Sequence, residues 1–144
     1  MPIISVTRLR LRSFGYLPQF LWANFLVNKQ VVKAGGFLRG TLLVDKQLTF
    51  WTATAWSDVP VMKVFRDSGA HKQTMPKLQN WCCEATSMHW DQENDQLPDW
   101  KQAYDRLVKD GRALYVKKPS EHQKDRRFPA PHSTSKIQQE LKPR

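Results

Sequence analysis

The chain has 144 residues, 40% of them hydrophobic, and a formal charge of +10 at pH 7. That length sets one domain as the default, and that apolar content is enough for a packed core. No stretch reaches the roughly 20 uninterrupted apolar residues that span a bilayer, and residues 1–13 lack the apolar run and cleavage site of a signal peptide. A soluble, cytoplasmic protein is the expectation.

The positive charge is unevenly spread. Residues 1–110 carry 14 Lys and Arg against 10 Asp and Glu, a net of +4, whereas residues 111–144 carry 9 against 3, a net of +6. Nucleic acid is therefore an unlikely partner: the excess sits in a segment expected to be unfolded, with no aromatic stacking pattern beside it. A residual possibility is that Lys117, Lys118, Lys124, Arg126 and Arg127 attach the domain to nucleic acid or an anionic membrane. Cys82 and Cys83 are adjacent, and strand neighbours point to opposite faces, so both read as free thiols. His71, His89, His122 and His132 form no metal-type cluster with them, and no metal is expected.

In chain order, Ile3 to Arg12 reads as a strand, because Thr7, Leu9 and Leu11 alternate with Arg8, Arg10 and Arg12. A helix follows from about Pro18 to Lys33, where Leu17, Phe20, Leu21, Phe25, Val31 and Val32 recur at helical intervals until Gly35-Gly36. Phe37–Val44 and Gln47–Trp56 are two strands joined by the short Asp45-Lys46 hairpin. Ser57-Asp58 caps a second helix with Pro60 in its first turn and Val61, Met62 and Phe65 inward. Ser68-Gly69 interrupts it. One or two further turns then align His71, Met75 and Leu78, with Pro76 opposing an unbroken helix.

Asn80–Trp90 is the fourth strand. Asp99 caps the best-marked helix, in which Gln102 completes a capping box, Trp100, Ala103, Tyr104, Leu107 and Val108 form the apolar stripe, and Gly111 ends it. From Lys117 onward large apolar residues are few, so 117–144 is expected to be a basic extension that is disordered or surface-lying. Residues 1–116 then make one β-α-β-β-α-β domain of the α+β class, a ferredoxin-like antiparallel sheet with an extra C-terminal helix. With both main helices on one face, the other face needs a cover. A second copy supplies it in a dimeric α+β barrel, which encloses a cavity between the sheets.

Phe50-Trp51-Thr52-Ala53-Thr54-Ala55-Trp56, with Met62, Phe65, Ser68-Gly69-Ala70-His71, Trp81 and Glu84, resembles the dimeric α+β barrel proteins. Within them the pattern is most similar to an uncharacterised family related to spheroidene monooxygenase. More distantly it resembles the antibiotic-biosynthesis monooxygenases and the haem-degrading members of the superfamily. The resemblance implies a homodimer, a monooxygenase-like activity on a small molecule, and either no cofactor or haem. His71 matches the position that presents a haem ligand, while the first strand lacks the asparagine of the haem degraders.

Three groups of residues are candidates for chemistry. Leu9 and Leu11 turned towards the helices place Arg8, Arg10 and Arg12 on the barrel side, where a guanidinium would orient a carboxylate or phosphate; alternatively they reach water at the sheet's ends. His71, at the Ser-Gly break, is a candidate acid/base or axial ligand, or a backbone-bonded structural histidine. Trp51, Trp56, Trp81 and Trp90, with Met62, Phe65 and Met75, would line a cavity for a flat apolar ligand or simply form core. Glu84 is either a base or a partner for the arginines, with pairing favoured. Two function classes remain: a monooxygenase-like barrel acting on a hydrophobic or carboxylate-bearing molecule, and a non-catalytic barrel that binds such a ligand.

Overall fold

A computed structural model describes residues 1–131 and 137–144; His132 lies outside them. The central strand β1 (Ile3–Leu11) pairs antiparallel with β3 (Thr49–Trp56) on one side and β4 (Cys82–Asp91) on the other. β2 (Phe37–Asp45) pairs with β3, and two edge strands complete the sheet, β5 (Arg112–Ala113) on β4 and β6 (Ile137–Leu141) on β2. The order is β5-β4-β1-β3-β2-β6. Five α-helices accompany it among the described residues: α1 (Leu17–Val32), α2 (Val59–Arg66), α3 (Gly69–Trp81), α4 (Trp100–Asp110) and α5 (Glu121–Asp125). The expected β-α-β-β-α-β succession with an added helix is the one observed, with the second helix in two pieces.

Strand alternation divides β1 between two faces. Ile4 and Val6 join Leu43, Trp51, Ala53 and Ala55 in a core closed by Ala103 and Leu107 of α4, with Trp100, Tyr104 and Phe128 against it. Ile3 joins Phe37, Leu42, Trp56 and Met62 with Val31 of α1 on the opposite face, and Leu11 joins Phe20 of α1 with Phe50. The face expected to need a second sheet is therefore covered within the chain. Its cover is well anchored: Asp99 accepts from the Gln102 backbone at 2.8 Å and Gln102 accepts from the Asp99 backbone at 2.9 Å, the reciprocal capping box its sequence predicts.

Three local expectations change. β3 begins at Thr49, because Gln47 and Leu48 both take positive φ (59° and 56°) and make the turn themselves. α3 runs unbroken through Pro76. The bond Pro76 cannot make would have gone to the carbonyl of Lys72, an exposed residue, so water can serve it. The C-terminal region, expected to be disordered or surface-lying, is packed on the domain in its described parts. Lys117 donates its backbone N–H to Gln79 and Ser120 to Cys83, at 2.9 and 3.0 Å. Leu141 of β6 is buried in the core with Val31, Phe37 and Trp56. Polar composition hid this strand, since β6 pairs through its backbone and contributes only Leu141 as a described buried side chain.

Candidate functional site

The helix-facing side of the sheet does not pack continuously. Midway along it, Ser5 pairs with Thr54 on one side and His89 on the other, and Thr7 with Thr52 and Ser87. Two polar rows thus cross three adjacent strands between the apolar cluster around Trp56 and the one around Phe50. Small hydroxyl residues leave space that leucines would fill. A cavity of about 390 Å³ lies there, with Ser5, Thr7, Thr52, Thr54, Ser87 and His89 in its floor, a size usual for small-molecule sites. Phe20, Val27 and Val31 of α1, with Met62, Phe65, Met75 and Leu78, form its apolar wall. Thr54 accepts a hydrogen bond from Trp56 Nε1 at 2.9 Å. The hydroxyls of Ser5, Thr7, Thr52 and Ser87 have no hydrogen-bond partner among the described residues, and so remain available to a ligand.

His71 stands at the wall. Ser68 begins α3 in extended backbone and Gly69 takes φ 57°, which swings the chain so that the first turn of α3 meets α1. Gln30 of α1 holds that junction: its Nε2 donates to the carbonyls of Phe65 and Ser68 at 3.1 and 2.9 Å, and its Oε1 accepts from the His71 backbone at 2.9 Å. The His71 ring lies tilted against Phe65, 4.9 Å between centroids, and its Nδ1 lies 2.9 Å from the Arg66 carbonyl. A carbonyl only accepts, so this contact places the proton on Nδ1 and leaves Nε2 with a free lone pair. Burial pushes the His71 pKa down, against the opposing pull of that carbonyl. The result is a neutral imidazole with an unused basic nitrogen, suited to accept a proton.

The other candidates divide. Trp56, Met62, Phe65 and Met75 line this cavity, which lies between one sheet and its own helices, not between two sheets. Trp51 belongs to the lining, yet its indole packs on the far side of the sheet, with Arg8 5.6 Å and Trp100 6.4 Å from its ring. Trp81 packs instead beside the Leu11–Phe50 cluster. Arg8, Arg10 and Glu84 are also on the far side. Glu84, 1% exposed, accepts from Arg8 Nη1 at 2.7 Å and from Arg10 Nη1 at 2.8 Å. Burial raises its pKa, and the two guanidinium hydrogen bonds overcome that and hold the carboxyl below its usual range. Arg8 is sealed beneath Phe128, 4.5 Å from that ring. Glu84 is thus the partner of the arginines, not a base, and neither Arg8 nor Arg10 reaches the cavity.

Haem fits this cavity poorly. Its two carboxylates need cations, and among the described residues the single Lys or Arg in the lining is Arg66, which is already paired with Asp67 at 3.0 and 3.2 Å. No metal-binding group of His, Cys, Asp or Glu occurs among the described residues. Both cysteines are free, and burial pushes the Cys82 thiol up to about 12, so it is inert. Sequence reasoning missed Gln30 and the hydroxyl floor. The floor had a signal: Ser5, Thr7, Thr52 and Thr54 stand in strands whose positions of the same face should otherwise be apolar.

No protein-family sequence profile matches the chain, and no curated protein sequence is similar to it. Solved structures are similar in fold. SnoaB from Streptomyces nogalater, described as a cofactor-independent oxygenase, aligns over 68% of this chain and 98% of its own, with TM-score 0.53 and 15% identity. A conserved protein from Methanosarcina mazei Go1 aligns over 65% and 94%, with TM-score 0.58 and 12% identity. An antibiotic biosynthesis monooxygenase aligns over 64% and 99%, with TM-score 0.57 and 12% identity. The chain has the α+β ferredoxin-like fold of the antibiotic-biosynthesis monooxygenase-like structures.

Proposed function

We propose that this protein is a cofactor-independent monooxygenase for a flat, hydrophobic small molecule bearing hydroxyl or carbonyl groups. The observation that carries the reading is the cavity: apolar and aromatic on the helix side, hydroxyl-bearing on the sheet side, with the free Nε2 of a neutral His71 at its wall. The fold shared with a cofactor-independent oxygenase supports it. The apolar wall holds the rings, and the unpaired hydroxyls orient the oxygen substituents. The carboxylate-bearing class is disfavoured, because the arginines that would bind it are used by Glu84 on the other face.

In this reading His71 takes a proton from an activated ring CH2, leaving a carbanion stabilised by the flanking carbonyl. The carbanion supplies the electrons to molecular oxygen and forms a carbon–oxygen bond. The resulting peroxide takes back the proton; His71 then removes the remaining C–H proton, whose electron pair forms the carbonyl as the O–O bond breaks, and the expelled hydroxide takes that proton and leaves as water. One oxygen atom stays as a ring carbonyl and the other departs in water with the two hydrogens, so substrate and oxygen balance without an added reductant. The site is complete in one chain, and the expected homodimer is not needed for this chemistry.

Dithranol, a hydroxylated anthrone, is a suitable probe. Oxygen uptake above the uncatalysed rate, with formation of the anthraquinone, is expected, and His71→Gln should lose turnover while still binding. Saturable binding without turnover in the parent protein would leave the second reading, a non-catalytic ligand-binding barrel. Absence of binding by this and other hydroxylated polycyclic compounds would reject the cavity as a site.

A further inference from the structure

A water-soluble protein's surface helix normally shows one apolar face and one polar face. α1 does not. Its inner side is buried through Phe20, Ala23 and Val31, while its outer side exposes Leu21 (47%), Trp22 (61%), Phe25 (51%) and Leu26 (36%). Trp22 and Phe25 stack 5.7 Å apart, and Phe14 just before the helix is 76% exposed. Contiguous exposed apolar surface of this kind marks a docking face.

Its charges identify the occupant. α1 contains no acidic residue, and Lys29 and Lys33 follow the aromatics along the same outer side. The C-terminal residues bring more cations beside them: the Arg144 backbone N–H donates to the Val32 carbonyl at 2.7 Å, and Lys29, Lys33, Lys142 and Arg144 line one groove with Phe25. The acidic side chain in that groove, Glu140, lies 3.9 Å from Lys142. Aromatic rings beside snorkelling lysines are the composition of helices that lie in a membrane interface. A second copy is a poorer occupant, because a two-fold contact would press the same lysines together.

We propose that the outer face of α1 docks on an anionic membrane surface, with Trp22 and Phe25 entering the headgroup region and Lys29, Lys33, Lys142 and Arg144 meeting lipid phosphates. Leu21 and Asn24 line both this groove and the cavity, so the docked face adjoins the ligand site. The docking stands independently of any oxidation chemistry, and its test reads binding alone.

The test is flotation of the full chain with phosphatidylglycerol-containing vesicles, beside pure phosphatidylcholine vesicles. Binding to the anionic vesicles that weakens with added salt is expected. Trp22→Ala combined with Phe25→Ala should lower it by about tenfold or more, and Lys29→Gln by about fivefold. All three side chains are exposed, and an unchanged urea midpoint will show the fold intact. Neutralising Lys117, Lys118, Lys124, Arg126 and Arg127 should change binding less than the aromatic pair does. The proposal is overturned by no binding to anionic vesicles at low salt, or by binding indifferent to the aromatic pair. A dimer that dissociates in the aromatic variant and does not float would also overturn it, assigning the face to self-association.

Discussion

Glu84→Gln tests the reading of the far face as structural. Glu84 is 1% exposed and Arg8 3%, with 2.7 Å between them. Removing one partner of a buried ion pair leaves the other uncompensated, at a cost of about 3–5 kcal/mol. Arg8 has little to fall back on, because its Nε already lacks a partner. Its cation–π contact with Phe128 offsets part of the loss, about 1 kcal/mol. Arg10 is 28% exposed and recovers water, so its share is under about 1 kcal/mol. The expected loss is about 3 kcal/mol, a large fraction of the 5–15 kcal/mol typical of a domain. Urea unfolding should show a lower midpoint with the slope unchanged. Pairing Arg8→Met with Glu84→Leu should recover most of the loss. The pH dependence has a fixed sign: the Glu84 pKa is lowered from 4.5 in the folded protein, so its contribution is present above that value and lost as pH falls through the folded pKa. A loss below about 1 kcal/mol in Glu84→Gln would refute the reasoning.

Thr7→Val should leave stability within about 1 kcal/mol, since the hydroxyl has no protein partner to lose, while weakening ligand affinity in a fluorescence titration. The depressed His71 pKa places the acid limb of turnover below the ordinary histidine value of 6.5. In stability the unfolded chain binds the extra proton in that same window, so the folded state weakens as pH drops below 6.5, and His71→Gln should flatten this dependence in pH-resolved urea titrations. Leu141→Ala should cost about 2–4 kcal/mol by calorimetry, because the residue is 5% exposed in the core beside Trp56. A loss near zero would return the C-terminal residues to an unfolded extension.

Periodicity made most of the fold legible. The alternation of Arg8, Arg10 and Arg12 with Leu9 and Leu11 assigned the faces of β1, and Asp99 with Gln102 fixed the start of α4. What failed was what depends on distant partners. Nothing in Gln138 to Leu141 marks a strand until β2 offers its open edge. The cover supplied by α4 was likewise invisible: an amphipathic stripe reveals that a helix buries a face, but not which sheet surface receives it. Of the cavity's lining, Trp56, Met62, Phe65, His71 and Met75 stood out in the sequence because bulky or ionisable residues attract notice. Gln30 and the floor hydroxyls were missed because a single Gln or Thr is ordinary on any surface.

The two faces of β1 invert the signals that sequence gives. Arg8, Arg10 and Glu84 look like chemistry, yet both guanidinium groups are paired to the one carboxylate and Arg8 is closed over by Phe128, with His122 3.9 Å from Glu84 at the rim. The opposite charges neutralise one another on that face, away from the cavity. Ser5, Thr7, Thr52 and Ser87 look inert, yet they stand in the middle of three adjacent strands, where every consideration of stability favours valine or isoleucine. Apolar residues there would fill the cavity and join the Trp56 and Phe50 clusters into one core. Ser5, Thr7, Thr52 and Ser87 therefore forgo packing energy without gaining a side-chain hydrogen bond among the described residues in return, which is the pattern the proposed ligand site requires. The unpaired hydroxyls, more than the charges, are what support the proposed ligand site.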